Sequence, residues 1–467
     1  MNVLFVHGYS ETSLGAYFDF PDRLKAAMPA IDQVALAAFN SLDDTVTIDD
    51  LAEAMEERVA GLAKKWSTGP WAVICHSTGA LIARRWLLNR LGNAPIPTHL
   101  ITMAGANHGS SLAQMGKSVL GYFQKLFIKH SPTVGANVLT DLDYGSDFLL
   151  RLNSEWMERW NDGSLDALSA FSMGGDSVGD DPTLQIFRQT HEPGSDNTVR
   201  ISGANLNYTI IEVAHSSGGP IAKAVRPKRP VPHLVIQGYS HFGSVSGILG
   251  SVRPEGDASV DAVVRALNVS TPAEYAQLAT TWTTATDAWT AQARAAHRTA
   301  DDVHSSVNSS VVFTLEDESG RSIDDCVITI LDQDVLGTAS NTVNPAMVER
   351  LVRSANNVSS AILPHSPIHN NVERGSYSFY FDYYKYIDSS PHWFSVEASL
   401  PTELISYVPL IFTQPPELAH TIFPNEFTYL KMTMKRDTIS TYAVYEYGPT
   451  LNFPGDSWMP FPPGNIP

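Results

Sequence analysis

Short apolar segments alternate with amphipathic stretches through the first 300 or so residues. Runs typical of buried strands lie at residues 2–6, 34–39, 71–75, 99–103, 168–173 and 233–237. Between the second and third runs, Leu51, Met55, Val59 and Leu62 recur at helical spacing. Strands that alternate with amphipathic helices build a mainly parallel sheet covered on both faces. The pattern predicts an α/β domain over residues 1–305.

The periodicity changes to two from about residue 306. Strand-like segments follow at residues 311–315, 326–331, 377–386, 393–400, 405–412, 427–434 and 442–447. These segments of period two predict an all-β, sandwich-like domain over residues 306–447. Residues 448–467 repeat proline among aromatic side chains, which argues against a helix or a central strand. We expect an extended tail there.

Composition excludes several classes of protein. The 467 residues contain 31 Lys plus Arg against 49 Asp plus Glu, a formal net charge of −18. This charge repels phosphodiester backbones, so we expect no nucleic-acid partner. Cys75 and Cys326 alone cannot supply a disulfide framework or a cysteine-based zinc site. Without a basic leader or an apolar stretch of about 18 residues, we expect neither a Sec-type signal peptide nor a transmembrane helix.

Candidate chemistry lies where the third apolar run ends. His76-Ser77-Thr78-Gly79 leads from a strand into a helix, so Ser77 occupies the sharp turn of a nucleophile elbow. Cys75 stands where the usual Gly-x-Ser-x-Gly pattern has its first glycine. At the helix N-terminus, the backbone N–H of Thr78 would face an oxyanion. The alternative is a serine that only caps the helix.

The end of the first apolar run predicts the other half of an oxyanion hole. His7-Gly8 follows that strand, and a glycine there lets the backbone approach a substrate oxygen closely. The backbone N–H of Tyr9 would be the donor. The dipeptide is weak evidence alone, because glycine often ends strands.

The acid and the base of a serine triad should follow later strands in that order. Two carboxylates compete for the acid: Asp176, just after the fifth apolar run, and Asp196, in a Gly-Ser-Asp-Asn turn. The turn chemistry favours Asp196, because such a turn presents a carboxylate well. His241 follows the last apolar run and is the predicted base. His76 and His108 flank the site, where we expect them to support it with hydrogen bonds.

Taken together, these motifs resemble the lipase-like α/β-hydrolases over about residues 1–250. The His-Ser-Thr-Gly elbow, the Gly-Ser-Asp-Asn-Thr-Val-Arg sequence and the β-rich second half are similar to the bacterial PlaB-like phospholipases A. The resemblance implies the triad Ser77, Asp196 and His241, with no metal or organic cofactor. It also implies phospholipase A and lysophospholipase activity in a cell-associated, peripheral membrane protein, at the outer membrane. A cytoplasmic location is the alternative.

Other functions remain open from the sequence. A soluble carboxylesterase or a triacylglycerol lipase would use the same motifs. A non-catalytic lipid-binding or scaffold protein can also share a hydrolase fold.

Further segments suggest lipid contact. A basic amphipathic helix is predicted over residues 117–129, inside a lid-like insertion at about residues 110–160, with Phe123 and Phe127 on its apolar stripe. An ordinary core-packing helix fits this pattern equally well. Arg226, Lys228 and Arg229 form a cationic cluster that suits phosphate headgroups or, alternatively, a solvated loop.

Aromatic side chains suggest further contacts. They occupy both faces of the strand at residues 377–386, which predicts a membrane or subunit contact. The aromatic tail at residues 448–467 also needs a groove to cover it, which a neighbouring subunit would provide. We therefore expect a phospholipid surface and a second copy of the chain as partners.

Overall fold

The computed structural model describes most of the chain. It covers residues 1–9, 14–110, 113, 133–179, 192–216, 219–250, 256–297, 307–324, 326–332, 368–370, 375–384, 392–398, 405–413 and 422–438. The predicted helix at residues 117–129, with Phe123 and Phe127, lies outside these ranges. The predicted strand at residues 442–447 and the tail at residues 448–467 lie outside them as well.

Six parallel strands form the first sheet, as the apolar runs predict. They are β1 (Asn2–Val6), β2 (Val34–Leu36), β3 (Trp71–His76), β4 (His99–Met103), β5 (Ser169–Gly175) and β8 (His233–Ile236). Their order across the sheet is β2-β1-β3-β4-β5-β8. Because all six run the same way, the loops that follow them meet at one edge of the sheet.

Helices cover both faces of this sheet. They are α1 (Phe20–Ala27), α2 (Ile48–Trp66), α3 (Gly79–Arg90), α4 (Ala136–Leu142), α5 (Asp147–Asn161), α6 (Ala258–Leu267) and α7 (Pro272–His297). Alternate residues of β1 belong to opposite cores: Leu4 and Val6 pack in one cluster, and Val3 and Phe5 in the other. This burial on both faces explains why the strands are continuous apolar runs. The α/β-hydrolase fold class is confirmed.

The second sheet combines strands from both halves of the chain. Its order is β11-β12-β9-β16-β6-β7. These strands are β6 (Tyr208–Ser216), β7 (Gly219–Val225), β9 (Asn308–Asp317), β11 (Ile368–His369), β12 (Ser376–Asp382) and β16 (Phe427–Met434). β16 pairs in parallel with β6 on one side and with β9 on the other.

The predicted boundary at residue 305 therefore does not separate the two sheets. The hairpin of β6 and β7 precedes that boundary, yet it extends the second sheet. The pattern of apolar side chains shows that a strand is buried, but it does not show which sheet the strand joins. Neither strand of this hairpin is among those predicted from the sequence.

Smaller sheets complete the β-rich half. β10 (Cys326–Asp332), β13 (His392–Ala398) and β15 (Leu410–Thr413) are antiparallel, and β14 (Ile405–Tyr407) pairs with β17 (Arg436–Thr438). The single strand predicted over residues 405–412 is thus two strands in different sheets. A hydrophobic cluster that includes Phe313, Val396 and Leu430 packs between the layers. This arrangement confirms a β-structured second half.

The aromatic strand β12 is covered on both faces within the chain. Phe379 and Phe381 are buried in the core of the β half. Tyr380, which points the other way, is also buried and donates from its hydroxyl to the carbonyl oxygen of Pro193. These three side chains give no exposed aromatic face, which differs from the expectation of a membrane or subunit contact. The sequence cannot show that the catalytic half supplies the covering surface.

A buried polar cluster joins the two halves. The hydroxyl of Tyr429, on β16, accepts a hydrogen bond from Nδ2 of Asn153 on α5 at 2.7 Å. It lies 2.9 Å from Nδ1 of His108 in the loop after β4. The hydroxyl of Tyr208, on β6, donates to the carbonyl oxygen of Asn153 at 2.6 Å. Buried hydrogen bonds of this kind fix one relative placement of the elements they connect.

We expect the two sheets to unfold in one transition, and a fragment of residues 1–305 to fail to fold as a monomer. Without β16, the fragment would expose the hydrogen-bonding edge of β6 and uncover Tyr208 and Ile210. Calorimetry of the full chain and light scattering of the fragment test this. A monodisperse fragment that melts cooperatively would contradict the expectation.

Candidate active site

Ser77 lies at a strained turn between β3 and α3. Its φ is +54°, in the left-handed region that a residue with a side chain rarely adopts. Gly79 allows this turn, because a Cβ there would lie 2.4 Å from the carbonyl oxygen of His7 and 2.5 Å from that of Val6. The backbone strain and the close approach to the end of β1 are those of a nucleophile elbow.

A hydrogen-bonded chain connects Ser77, His241 and Asp196. Nε2 of His241 lies 2.9 Å from Oγ of Ser77, and Nδ1 of His241 lies 2.8 Å from Oδ2 of Asp196. All three side chains are buried. The backbone N–H of His241 also donates to the carbonyl oxygen of Asp196 at 3.0 Å. The three residues predicted from strand order therefore come together in the geometry that activates a serine.

The turn that carries Asp196 directs its carboxylate. Oδ1 accepts hydrogen bonds from the backbone N–H groups of Thr198 at 3.1 Å and Val199 at 2.7 Å. Asn197 adopts a φ of +80°, which asparagine tolerates better than most residues. With one oxygen held by the backbone, the other faces His241. The predicted turn chemistry accounts for this presentation.

Asp176, the competing acid, is occupied elsewhere. Its Oδ1 accepts from the backbone N–H of Gly238, and its Oδ2 accepts from Nε1 of Trp289 at 2.7 Å. These bonds join the turn after β8 to helix α7. The carboxylate that accepts a hydrogen bond from Nδ1 of His241 is instead that of Asp196.

The chain after β1 passes directly beside Ser77. A Cβ on Gly8 would lie 2.6 Å from Cβ of Ser77, so only glycine fits without displacing the serine. The two backbone N–H groups predicted to form an oxyanion hole belong to Tyr9, next to this glycine, and to Thr78, next to the serine. The hydroxyl of Tyr9 donates to the carbonyl oxygen of Val134, which anchors this residue at its other end.

His7 and His76 support the chain around Ser77. The backbone N–H of Phe39 donates to Nε2 of His7 at 3.2 Å, so Nδ1 carries the proton and donates to the carbonyl oxygen of Gly8 at 2.8 Å. His76 donates from Nε2 to the carbonyl oxygen of His241 at 3.2 Å. Burial, reinforced by the neighbouring His241, lowers the pKa of His76 well below its usual value. His76 is therefore neutral at physiological pH and adds no charge beside the triad.

His108 lies at the interface between the two sheets. Nε2 donates to the carbonyl oxygen of Asn205 at 2.9 Å, and Nδ1 accepts from the hydroxyl of Tyr429. Burial lowers the pKa of His108 well below its usual value, and the charge of Arg84 adds to this effect. The residue therefore supports the segment after Asp196 and not the nucleophile.

The cationic cluster lies at the opposite edge of the first sheet. Arg226 pairs with Glu426 at 2.8 Å, Nζ of Lys228 donates to the carbonyl oxygen of Asn161 at 2.6 Å, and Arg229 donates to that of Leu168 at 2.8 Å. These three cations precede β8, whereas Ser77 and His241 follow their strands. Their placement does not bring them to the triad. They hold the connection between β7 and β8 against the rest of the protein.

Sequence reasoning missed the residues that hold the acid-bearing turn. Oγ of Ser110 donates to the carbonyl oxygen of Thr198 at 2.6 Å, and Arg200 is buried at the end of the turn. Arg200 ends the Gly-Ser-Asp-Asn-Thr-Val-Arg sequence, and Ser110 follows His108 by two residues. Their hydrogen bonds to Ser310 and Thr198 span 110 and 88 residues, so no local pattern indicates them. Within the described ranges, no group of His, Cys, Asp and Glu is arranged to hold a metal ion, and no helix is long and apolar enough to cross a membrane.

Solved structures include close matches to this chain over nearly its whole length. No protein-family model and no curated protein sequence matches the chain. Phospholipase PlaB from Legionella pneumophila, solved in complex with thio-NAD, matches with a TM-score of 0.79 and 25% identity, over 97% of this chain and 98% of that one. A second structure of that phospholipase matches with a TM-score of 0.79 and 24% identity, over 97% of each chain.

The likeness thus extends through both halves of the molecule. It includes the β-rich half, for which the sequence offered length and strand character without a motif. The fold and the match over nearly the whole chain lead to one conclusion: the protein has the lipase-like α/β-hydrolase fold and resembles the PlaB phospholipase throughout, which supports a lipolytic ester hydrolase.

Proposed function

We propose that the protein is a phospholipase A and lysophospholipase A that cleaves acyl ester bonds through a Ser77–His241–Asp196 triad. The observation that carries the proposal is the continuous hydrogen-bonded chain from Oγ of Ser77 to the carboxylate of Asp196. It occurs in a chain that matches a phospholipase over 97% of its length. A triad alone indicates hydrolysis of an ester or an amide through an acyl-serine, and the likeness favours a phospholipid ester as the substrate.

The proposed reaction begins at Ser77. Nε2 of His241 accepts the hydroxyl proton while Oγ attacks the acyl carbonyl carbon, and the backbone N–H groups of Thr78 and Tyr9 receive the developing oxyanion. His241 then returns the proton to the leaving glycerol oxygen, which releases the deacylated lipid and leaves an acyl-serine. A water molecule, deprotonated by His241, attacks the acyl carbon and restores Ser77 as the fatty acid departs.

Asp196 has two roles in this scheme. Its carboxylate fixes the tautomer of His241, because an acceptor at Nδ1 leaves Nε2 free to take the serine proton. It also stabilises the imidazolium that forms in each half-reaction. The two backbone N–H groups on Oδ1 hold the carboxylate in place, so it needs no rearrangement during the reaction.

We further propose that the enzyme works at a phospholipid surface and as a homo-oligomer. Phospholipid substrates lie in membranes or micelles, which supports action at a surface. The aromatic tail at residues 448–467 needs a covering groove, which supports a homo-oligomer. Liposome flotation and light scattering of the full chain test these points, and a monomer that stays free of liposomes would contradict both.

The triad variants Ser77→Ala, His241→Asn and Asp196→Asn should each lower kcat by about 10⁴-fold. Losses at Ser77 and His241 should not add, because the two residues act as one unit. Phosphatidylcholine hydrolysis and labelling by a fluorophosphonate measure these effects. Asp176→Asn is the control and should retain most activity. An active Asp196→Asn enzyme beside an inactive Asp176→Asn enzyme would reverse the assignment of the acid.

Gly8→Ala should lower kcat by about 100-fold, because the added methyl group must push Ser77 or the adjoining backbone out of place. Gly61→Ala is the matched control: a Cβ there meets nothing within 4 Å, on helix α2. Alanine at that position should leave activity unchanged and stabilise the fold slightly. Equal activity of the two variants would show that the approach of Gly8 to Ser77 is unimportant.

Substrate preference separates phospholipase activity from its alternatives. We expect faster hydrolysis of micellar phosphatidylcholine and lysophosphatidylcholine than of short-chain nitrophenyl esters or triacylglycerol, with Ser77→Ala as the blank. Fatty-acid release from each substrate gives the rates. Preference for nitrophenyl esters would indicate a carboxylesterase, and preference for triacylglycerol would indicate a lipase in the narrow sense.

A further inference from the structure

The segment that presents Asp196, residues 192–205, is tied at its start to the second sheet; we call it the acid loop. Nδ2 of Asn308, on β9, donates to the carbonyl oxygen of Pro193 at 2.9 Å. The hydroxyl of Tyr380, on β12, donates to the same oxygen and lies 3.4 Å from that of Gly194. The N-terminal end of the acid loop is therefore held by strands that follow Asp196 by more than 100 residues in the chain.

The far end of the acid loop is held by the same strands. Oγ of Ser202 lies 2.8 Å from Oγ of Ser310, on β9. Nη1 of Arg200 donates to that serine at 3.4 Å. Only five residues lie between Gly194 and Arg200, so the carboxylate of Asp196 is fixed by anchors close on both sides.

Arg200 connects the two ends of the loop directly. Nε and Nη2 donate to the two carboxylate oxygens of Glu192 at 2.8 and 2.6 Å, a bidentate pair. The guanidinium carbon lies 4.2 Å from the ring centre of Tyr144 and 4.0 Å from that of Tyr380. Arg200 is 2% exposed. A planar, buried guanidinium with a bidentate partner and two aromatic neighbours permits little movement.

The turn itself adds a short link from these anchors to the acid. Ser195 and Arg200 form an antiparallel bridge, and the backbone N–H of Ile201 donates to the carbonyl oxygen of Gly194 at 2.9 Å. The backbone N–H of Asp196 donates to the carbonyl oxygen of Val199 at 3.1 Å. A shift at Arg200 therefore moves the N–H groups that hold Oδ1 of Asp196.

We propose that Arg200 and Tyr380 are positioning residues for the reaction, which set the carboxylate of Asp196 against His241 from the second sheet. This inference rests on the proposed triad. Neither residue is proposed to touch the substrate; both act through Asp196. The physical reason is that a displacement of about 1 Å in a catalytic group lowers the rate by about 100-fold.

Two conservative variants test the proposal. Arg200→Lys keeps the positive charge but cannot make the bidentate pair with Glu192 or stack between the two rings. Tyr380→Phe keeps the ring against Arg200 and removes only the hydroxyl that donates to Pro193. If Arg200→Lys fails to fold, Tyr380→Phe still tests whether contacts from the second sheet position the acid loop. Each is expected to lower kcat about 10-fold or more, with little change in KM, on a nitrophenyl ester.

A double-mutant cycle with Asp196→Asn distinguishes positioning from general stability. If Arg200 and Tyr380 act through the carboxylate, Arg200→Lys and Tyr380→Phe should not lower kcat further in the Asp196→Asn background. An equal loss in both backgrounds would overturn the proposal. The Nδ1–H proton resonance of His241 gives an independent readout, which should broaden or shift in both single variants. An unchanged resonance would also overturn the proposal.

Phe379→Leu is the matched control. Phe379 lies beside Tyr380 on β12, but its ring packs in the opposite core against Phe313 and Phe381. This variant should lower the melting temperature while it leaves kcat and the His241 resonance unchanged. A comparable loss of kcat in Phe379→Leu would mean that any weakening of the strand affects the site, against the proposal.

The cycle also separates this inference from the proposed function. High activity of Asp196→Asn alone would show that the triad assignment fails. Low activity of Asp196→Asn, together with full activity of Arg200→Lys and Tyr380→Phe, would leave the triad standing and overturn only their positioning role.

Discussion

The pairing of β16 between β6 and β9 is the contact on which the rest of the structure depends. β16 comes late in the described chain, and it joins a hairpin from the catalytic half to a strand of the β half. Through this strand, Tyr429 reaches His108 and Asn153. Just before it, the carbonyl oxygen of Asn425 accepts from Nδ2 of Asn205 at 3.0 Å. The second sheet therefore packs directly against the catalytic half and shares hydrogen bonds with it, so it is not a separate module.

The interface between the two sheets is buried and polar. Burial lowers the pKa of His108 and raises that of Tyr429 well above its usual value, so both side chains are uncharged. Arg84 donates to the carbonyl oxygen of Asn107 at 3.1 Å and to Oδ1 of Asn153 at 2.9 Å, while its guanidinium lies over the ring of Trp156. Oriented dipoles of this kind fix geometry strongly, because each lost partner leaves a buried polar atom unpaired.

The sequence was most informative where chemistry restricts the residue type locally. Ser77 and Gly79 were identifiable because a strand-to-helix turn in the left-handed region needs that combination. The Gly-Ser-Asp-Asn turn favours Asp196 over Asp176, and in the structure the backbone of this turn holds the carboxylate. In these cases the backbone conformation that restricts the residue type is local to the motif, so the sequence indicates it directly.

The sequence was least informative where the partner is distant. The hairpin of β6 and β7 was missed because its destination depends on β16, some 200 residues later. The cations Arg226, Lys228 and Arg229 suggested a phosphate site, but their partners are protein groups at the other edge of the sheet. Likewise, Tyr380 appeared free to face a membrane because the surface that covers it belongs to the acid loop.

The order in which the chain is synthesised determines when the acid loop can be anchored. Ser77, Asp196 and His241 leave the ribosome before Asn308, Tyr380 and Tyr429, which hold the acid loop or its surroundings. Domains generally fold as their chain emerges, so a self-contained hydrolase half would be active while synthesis continued. Here the acid loop is held by β9 and β12, and these strands are synthesised only after all three residues of the candidate triad. Assembly of the site is therefore coupled to the folding of both sheets, so that strands made long after Asp196 complete its surroundings.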